Sequence, residues 1–543
     1  MEHNLFSRQA AGRLLRESAK PHPLRPRHDP LIVPRCKWDC CFCSGPMVYL
    51  SAKKHRKEER YMSCTTILVG KKASNDGSTM IARTDDGHFD VKKMIVVTPD
   101  MQPRKYKSVL SHVEIDLPDE PMRYTACPSV DKARGIWAAT GINTANVGMT
   151  ATETITTNPR GLAADPLVEY DRDADVPGGI GEEDMVVLVL PYIRSAREGV
   201  LRLGALLEQY GTYESNGIAF NDENEVWWLE SIGGHHWMAR RVPDDVVATN
   251  PNQFGMDGFD LADAFGEQKD FLCSADLREF IAENCLDLNQ DGEFNPRDVF
   301  GSHSDMDHIY NTPRAWFMGR YLAPFSFSWD GLGAEFGPES DDIPWCLVPD
   351  RKVAVEDVKY LLSTHYQGTD FDPYINRNTG KRGMYRSIGI NRTGVAAVCQ
   401  IRSGVPEAIK GVEWVCFGST TFDALLPLYT NVGTLPAYLS DVGLQASTEN
   451  FYWASRLVGA LADSAYGECV QIIERYQNAV MTKGRRIIMD YDKKIAGSED
   501  AALAEEANEA LVKMAKEQTD DVLTKVLHEA SQKMKNGYNR ADN

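Results

Sequence analysis

The chain has 543 residues, 43% of them hydrophobic and 25% charged, proportions ordinary for a folded globular protein and far from those of a disordered one. Its net charge of −19 is unevenly spread: residues 1–63 hold 13 Lys and Arg against 6 Asp and Glu, a net +7, which leaves −26 on the rest. So acidic a body argues against sequence-independent binding to nucleic acid, and no run approaches the roughly 18–20 apolar residues a membrane helix needs.

Residues 1–63 stand apart. They are basic, are punctuated by Pro21, Pro23 and Pro26, and keep neither helical nor strand periodicity for long. Cys36, Cys40, Cys41 and Cys43 form a C-x3-C-C-x-C cluster, but no second ligand pair follows at zinc-finger spacing. Lys57-Glu58-Glu59 can be encoded by a purine-rich tract one short spacer before the codon of Met62. In a bacterial source this predicts translation from Met62, with a propeptide cleaved between Ser63 and Cys64 as the competing account. A secretory signal is not supported, since no apolar core with a small-residue cleavage site opens the chain. The expected compartment is the cytoplasm, where most of the eight scattered cysteines from Cys64 onward would be buried thiols.

From Cys64 the pattern becomes strands and turns. Thr65 to Val69 and Thr79 to Arg83 read as a hairpin closed by Asn75-Asp76-Gly77, residues that tolerate positive φ. A cysteine begins this hairpin and Arg83-Thr84-Asp85-Asp86 ends it. If the chain is cut before Cys64, a thiol and its own amine base share one residue, the arrangement of N-terminal-nucleophile hydrolases. Strands are expected at Met94 to Val97, Gly135 to Thr140 and Val147 to Thr152, with a polar segment from Tyr106 to Leu117. A helix is predicted from Glu182 to Tyr210, opened by acidic residues, kinked at Pro191 and stopped by Gly211. Four more strands follow: Gly217 to Phe220, Glu225 to Glu230, His235 to Arg240 and Val246 to Thr249.

Residues 287–298 resemble a calcium loop, with oxygen-bearing Asp287, Asn289, Asp291, Asn295 and Asp298 at ligand positions and Gly292 at the sixth. Asp298 replaces the longer Glu of an EF-hand, and a polar turn is the plain alternative. Helices are predicted over Ser455 to Met489 and Ala501 to Met534. In the second, Ala501, Ala504, Ala507, Leu511, Met514 and Ala515 form an apolar stripe suited to packing or to homo-oligomer formation.

A cysteine hydrolase needs a thiolate, a proton acceptor, oxyanion donors and groups that fix the substrate. An N-terminal α-amine titrates about 7.7–8.0, near a free thiol at about 8.5, so proton transfer between them costs little. A neighbouring arginine favours the thiolate further.

Four separated segments then carry a family resemblance. They are Cys64-Thr65-Thr66-Ile67-Leu68-Val69-Gly70, Gly234-His235-His236-Trp237, Tyr310-Asn311-Thr312-Pro313-Arg314, and His365-Tyr366-x-Gly368-Thr369-x-Phe371-Asp372-Pro373. In this order they resemble the dipeptidase A type of the C69 cysteine peptidases, over residues 64 to about 540. The resemblance implies an α+β fold, the N-terminal-nucleophile hydrolase four-layer αββα sandwich with C-terminal helices. It also implies hydrolysis of dipeptides with no metal in the catalytic step. Residues 64–455 would form the peptidase domain and 456–543 a helical segment packing on it.

Penicillin V acylases and bile salt hydrolases are similar to these peptidases and share a Cys…Arg-x-x-Asp opening. That likeness implies Cys64 as nucleophile, Arg83 as the cation beside the thiolate and Asp86 as partner of the α-amine. Thr249-Asn250-Pro251 resembles the segment supplying an oxyanion donor, Asn250, and Arg314, with Arg320 as the alternative, resembles the later active-site arginine. Thr152-Glu153 stand where the acylases have a second asparagine. Glu153, Asp222 and Glu230 are candidates for the substrate's α-amine, and one of His235 and His236, on alternating strand faces, for lining the substrate, with His235 preferred. The rival readings are an N-acyl amide hydrolase and a non-catalytic, secernin-like protein.

Overall fold

The computed structural model describes residues 64–536, apart from 88–89, 290–291, 376, 499 and 501. The expectations for residues 1–63, from the cysteine cluster to the start at Met62 and the cut before Cys64, lie outside the described residues.

The opening hairpin is β1 (Thr65–Val69) and β2 (Thr79–Asp85), turned at Gly77 with φ of 78°. Asp76 fixes the turn by accepting from the Ser78 amide at 3.1 Å and the Ser78 hydroxyl at 2.5 Å. Short strands follow: β3 (Ile95–Val97), β4 (Lys105–Lys107), β5 (Glu114–Asp116), β6 (Tyr124–Ala126), β7 (Thr140–Ile142) and β8 (Gly148–Thr154). After α1 (Pro159–Ala164), the helix predicted over Glu182 to Tyr210 is broken rather than kinked. It comprises α2 (Glu182–Val189), a 3-10 turn at Leu190–Tyr192 and α3 (Ala196–Tyr210). Pro191 supplies no amide to an α-helical ladder, and Ser195 restarts the helix by capping the Glu198 amide.

Next come β9 (Asn216–Asn221), β10 (Val226–Ile232), β11 (His236–Val242) and β12 (Val247–Pro251), each within one or two residues of expectation. Then follow α4 (Leu261–Ala264), β13 (Phe271–Cys273), α5 (Leu277–Glu283), α6 (Pro296–Phe300), α7 (Asp307–Tyr310), α8 (Thr312–Leu322), β14 (Cys346–Leu347) and α9 (Val355–Leu362). The last strands are β15 (Val395–Ile401), β16 (Gly411–Phe417) and β17 (Leu426–Tyr429). The chain ends in α10 (Ala437–Ser440), α11 (Phe451–Ser464), α12 (Tyr466–Ala496) and α13 (Ala502–Gln532). The helix expected over Ser455 to Met489 is divided at Ala465, whose φ of −132° and ψ of 41° leave the helical region.

Two antiparallel sheets organise these elements. One has seven strands in the order β14-β12-β1-β2-β15-β16-β17, the other six in the order β13-β11-β10-β9-β8-β7. Leu68, Ile81, Ala248 and Cys399 of the first share a buried cluster with Ala219, Val226, Trp228 and Met238 of the second, so the two sheets meet face to face. Ile67, Val69 and Ala82 alternate to the opposite face and pack with Met318 of α8, Val358 of α9, Val480 of α12 and Leu511 of α13. The outer face of the six-stranded sheet buries Met149, Ile218 and Phe220 against Leu188 of α2 and Leu203 and Leu207 of α3.

The C-terminal helices are fully engaged in this core. Ala504, Ala507, Leu511, Met514 and Ala515, the stripe seen in the sequence, are buried within the chain, which settles it as a packing face. Asn508 sits among them, accepting from the Tyr429 amide at 2.9 Å and donating to the Tyr429 carbonyl at 2.9 Å, on the outermost strand β17. No described helix is long and apolar enough to cross a membrane.

Candidate active site

Cys64 leads into β1, an interior strand of the seven-stranded sheet flanked by β12 and β2. The register sets Thr66 of β1 opposite Arg83 of β2 on one side and Asn250 of β12 on the other. Directly opposed residues share a face, and Cys64 lies two residues before Thr66, so all four side chains point into the space between the sheets. Cys64 is wholly buried, and its Sγ accepts from Arg83 Nη2 at 2.8 Å. The same nitrogen reaches Glu182 Oε1 at 3.1 Å, a carboxylate carried by the first residue of α2. The Glu182 amide in turn donates to Glu214 Oε1 at 2.8 Å. Asp85, next along β2, is paired with buried Lys92 at 2.9 Å.

Burial pushes the Cys64 thiol well up in this full-length chain. Arg83 pulls it down, while Glu153, Glu182 and Asp85 push it further up. Burial also opposes the charge on Arg83, but the Cys64 sulfur and then Glu182 hold the guanidinium firmly protonated. Burial raises Glu182 against the pull of Arg83. The thiol thus sits beside one fixed cation and among three carboxyl groups.

Several polar atoms of this face have no hydrogen-bond partner, among them Arg83 Nε, Asn250 Nδ2 and Glu153 Oε1. Asn250 Oδ1 accepts from the Trp345 indole at 2.7 Å, while its Nδ2 is buried and unbonded. Gly255 keeps this amide in place: a Cβ there would lie 2.4 Å from Asn250 Oδ1. Glu153 Oε2 accepts from Thr66 Oγ1 at 2.8 Å, while Oε1 is buried and unbonded. Simple alternation would send Glu153 to the helix-covered face with Met149 and Ala151. A register shift in β8 between Thr150 and Glu153 turns it instead toward β1. Burial raises its carboxyl to about 8, with Arg314 and then Arg83 pulling the other way.

Arg314 works on the opposite face of β1. From α8 its Nη1 donates to the Cys64 carbonyl at 2.5 Å and to Thr65 Oγ1 at 2.8 Å, and its Nη2 to Asn252 and Asn311, each at 2.8 Å. Burial, then the charge of Arg386, lowers it to about 9. Arg320, the alternative in sequence, pairs at the surface with Asp330. Asp86 accepts from Arg386 Nη2 at 2.6 Å, Thr393 Oγ1 at 2.6 Å and Thr84 Oγ1 at 3.1 Å. Thr84 Oγ1 also accepts the Thr65 amide at 3.1 Å, which links Asp86 to β1.

The predicted residues Cys64, Arg83, Glu153, Asn250 and Arg314 therefore meet around β1, with Asp86 one hydroxyl away. Asp222 instead spends its carboxylate on the Asn224, Glu225 and Ala196 amides. His235 is at the tip of the β10–β11 hairpin, where it and His236 both bind Asp165, and none of its described bonds reaches the Cys64 group. In the predicted calcium loop Asp291 lies outside the described residues. Of the rest, Asp287 accepts the Asn289 amide, Asn295 Oδ1 caps α6, and the Asn289 and Asn295 amides donate to Asp298. Glu182 and Arg386 are the residues that sequence reasoning missed. Glu182 was visible only as a helix-opening acid, and no local pattern marks Arg386.

The sequence profile described as Peptidase family C69 matches residues 63–479. A protein of Bifidobacterium longum described as "Dipeptidase" is 50% identical over 532 residues, spanning 89% of this chain and 100% of that protein. "Probable dipeptidase A" of Streptococcus pyogenes serotype M18 is 51% identical over 492 residues, spanning 90% of this chain and 100% of its own length. "Dipeptidase A" of Lactobacillus helveticus is 42% identical over 440 residues, spanning 80% of this chain and 88% of its own. Among solved structures, a mutant of the conjugated bile acid hydrolase from Clostridium perfringens aligns at 13% identity over 32% of this chain and 48% of its own, with a TM-score of 0.21, too low to bear on the fold. On the profile match and these identities, the chain belongs to peptidase family C69.

Proposed function

We propose that this protein is a cytoplasmic cysteine dipeptidase whose nucleophile is Cys64, acting once the residues before it are absent and its α-amine is free. The 2.8 Å contact of Arg83 with the Cys64 sulfur carries the mechanistic reading, and relatives described as dipeptidases at about half identity support the substrate class. The fold is an N-terminal-nucleophile hydrolase sandwich of four layers, αββα. Helices α8, α9, α12 and α13 cover one sheet, α2 and α3 cover the other, and the bare faces meet at Cys64.

In this reading the α-amine of Cys64 takes the thiol proton and Arg83 favours the thiolate. Sulfur attacks the peptide carbonyl carbon, and the oxyanion is held by Asn250 Nδ2, a buried donor with no other partner. Collapse of the tetrahedral intermediate breaks the C–N bond, and the ammonium passes its proton to the leaving amino acid. Water, deprotonated by the same amine, then frees the acyl group from sulfur. Asp86, fixed by Arg386 and Thr393 and joined to β1 through Thr84, is the acceptor for the α-ammonium. Arg314 fixes the carbonyl of the nucleophilic residue from the far side of the strand.

The test is Cys64→Ala in protein whose first residue is 64, beside wild type with its N-terminus determined by mass. Hydrolysis of unblocked dipeptides should fall by about 10³-fold or more. Turnover at the wild-type rate, or full activity of protein still carrying the Ser63–Cys64 bond, overturns the mechanism.

A further inference from the structure

A ligand-free site that binds an aminoacyl group should leave one donor and one acceptor unsatisfied near the nucleophile, the donor for the carbonyl oxygen and the acceptor for the amine. Around Cys64 both exist, as Asn250 Nδ2 and Glu153 Oε1. They flank the same residue of β1: Asn250 is the register partner of Thr66, and Glu153 is hydrogen-bonded to the Thr66 hydroxyl. The amine nitrogen and carbonyl carbon of one amino-acid residue are roughly 2.5 Å apart. A carbonyl within reach of Sγ whose oxygen is held by Asn250 therefore has room to direct its own amine toward Glu153.

We propose that Glu153 Oε1 receives the α-ammonium of the substrate's first residue, so that the site accepts acyl groups with a free N-terminus and rejects N-acylated ones. This rests on Cys64 being the nucleophile and goes beyond it by naming what the cleft selects. Three other carboxylates near the thiol are paired with cations. Glu182 holds Arg83, Asp85 holds Lys92, and Asp86 holds Arg386. Glu230 is on the same face as Glu153, across Gly217, and its Oε2 is likewise buried without a partner, but its Oε1 accepts both the Trp228 indole and the Gly255 amide, whereas Glu153 is bonded directly to Thr66 of β1. Glu153 has a single hydroxyl donor, and the bulge that turns it inward costs β8 a regular ladder. A buried carboxyl oxygen without a donor costs stability, and a ligand's ammonium beside it would offset that cost.

The experiment compares Ala-Ala with N-acetyl-Ala-Ala on the mature enzyme and its Glu153→Gln and Glu153→Asp variants. Wild type should prefer the free dipeptide by about 10⁴-fold or more in kcat/KM, the scale on which a site built for a polar group rejects analogues lacking it. Glu153→Gln should lose most of that preference through a raised KM for Ala-Ala, with N-acetyl-Ala-Ala no worse than before. Glu153→Asp should restore part of it. Equal wild-type rates on both substrates overturn the proposal and leave the cysteine hydrolase standing. Equal loss by Glu153→Gln on both substrates also overturns it, and assigns Glu153 to the enzyme's own amine or to the fold. If Glu153→Gln does not fold, Glu153→Asp decides: a KM raised for Ala-Ala with no change for N-acetyl-Ala-Ala supports the proposal, and an equal change on both overturns it. Loss of dipeptide activity in wild type itself, by contrast, defeats the reading on which the proposal rests.

Discussion

Asn250 accepts from the Trp345 indole through its oxygen and presents its buried NH2 to the space beside the thiol. Asn250→Ala should lower kcat on dipeptides by about 10²–10³-fold with a small change in KM, because an oxyanion donor acts on charge that develops only in the transition state. Steady-state kinetics check this, and an unchanged kcat would remove Asn250 from the mechanism. Asn250 and Arg314 were legible because each lies in a short segment that resembles the family's, even though the Arg314 bond to Cys64 spans 250 positions of sequence. Glu182 and Arg386 were not, because no such segment surrounds them and their bonds to Arg83 and Asp86 span 99 and 300 positions. A carboxylate opening a helix reads as a favourable dipole partner whether or not it also holds an arginine across the site. Glu153 was legible as a carboxyl in the right neighbourhood, but only the β8 bulge decides which way it faces.

Helix α8 fixes the start of β1 through one side chain. Arg314 uses all three guanidinium nitrogens, adding a bond to the Tyr310 carbonyl at 2.7 Å to those on Cys64, Thr65, Asn252 and Asn311. Lysine offers one ammonium in place of this planar fork. Arg314→Lys should therefore cost about 3 kcal/mol of stability, measured by chemical denaturation, and lower kcat more than it raises KM. Stability within about 0.5 kcal/mol of wild type would contradict the clamp. At this scale the sequence showed helices and strands where periodicity or turn residues marked them. It hid the Ala465 break, marked only by Gly467 two residues on, and β15 and β16. Those two strands lie inside the sheet, buried on both faces, so Val395 to Ile401 and Gly411 to Phe417 lack the alternation that announces a half-buried strand.

The whole molecule carries a pH dependence in its buried carboxyls. Burial raises Glu153 and Glu214 to about 8 and Glu230 to about 7. Each remains protonated in the folded chain at pH values where the unfolded chain has released its proton, so the folded state binds more protons from about pH 4.5 upward. Stability from these groups is intact below that point and falls as pH rises toward 7 or 8, by up to about 1.4 kcal/mol per unit for each. His236 adds the same sign: burial opposes its charge, but the bond to Asp165 raises it overall, so its contribution also fades as pH rises. Thermal unfolding of the full chain should give a lower Tm at pH 8 than at pH 6. Glu230→Gln, which keeps an acceptor for Trp228 and Gly255, should flatten that slope. A Tm rising over the interval, or an unaltered slope in the variant, would contradict this. The meeting of two sheets was expected only from the family resemblance, since the sheet-to-sheet contact depends on long-range pairings that no local pattern encodes.

The pairing of Asn508 with Tyr429 has a consequence for assembly. A carboxamide can turn its C=O and one of its two N–H groups toward the same partner, as a strand residue does with its own C=O and N–H, so this side chain occupies the position that one residue of an eighth strand would take. An edge strand with free amides is a template for another chain. Here the template is filled at Tyr429 by a helix, so the sheet ends at β17 by substitution rather than by exposure, and a second copy cannot extend it through that residue without first displacing α13.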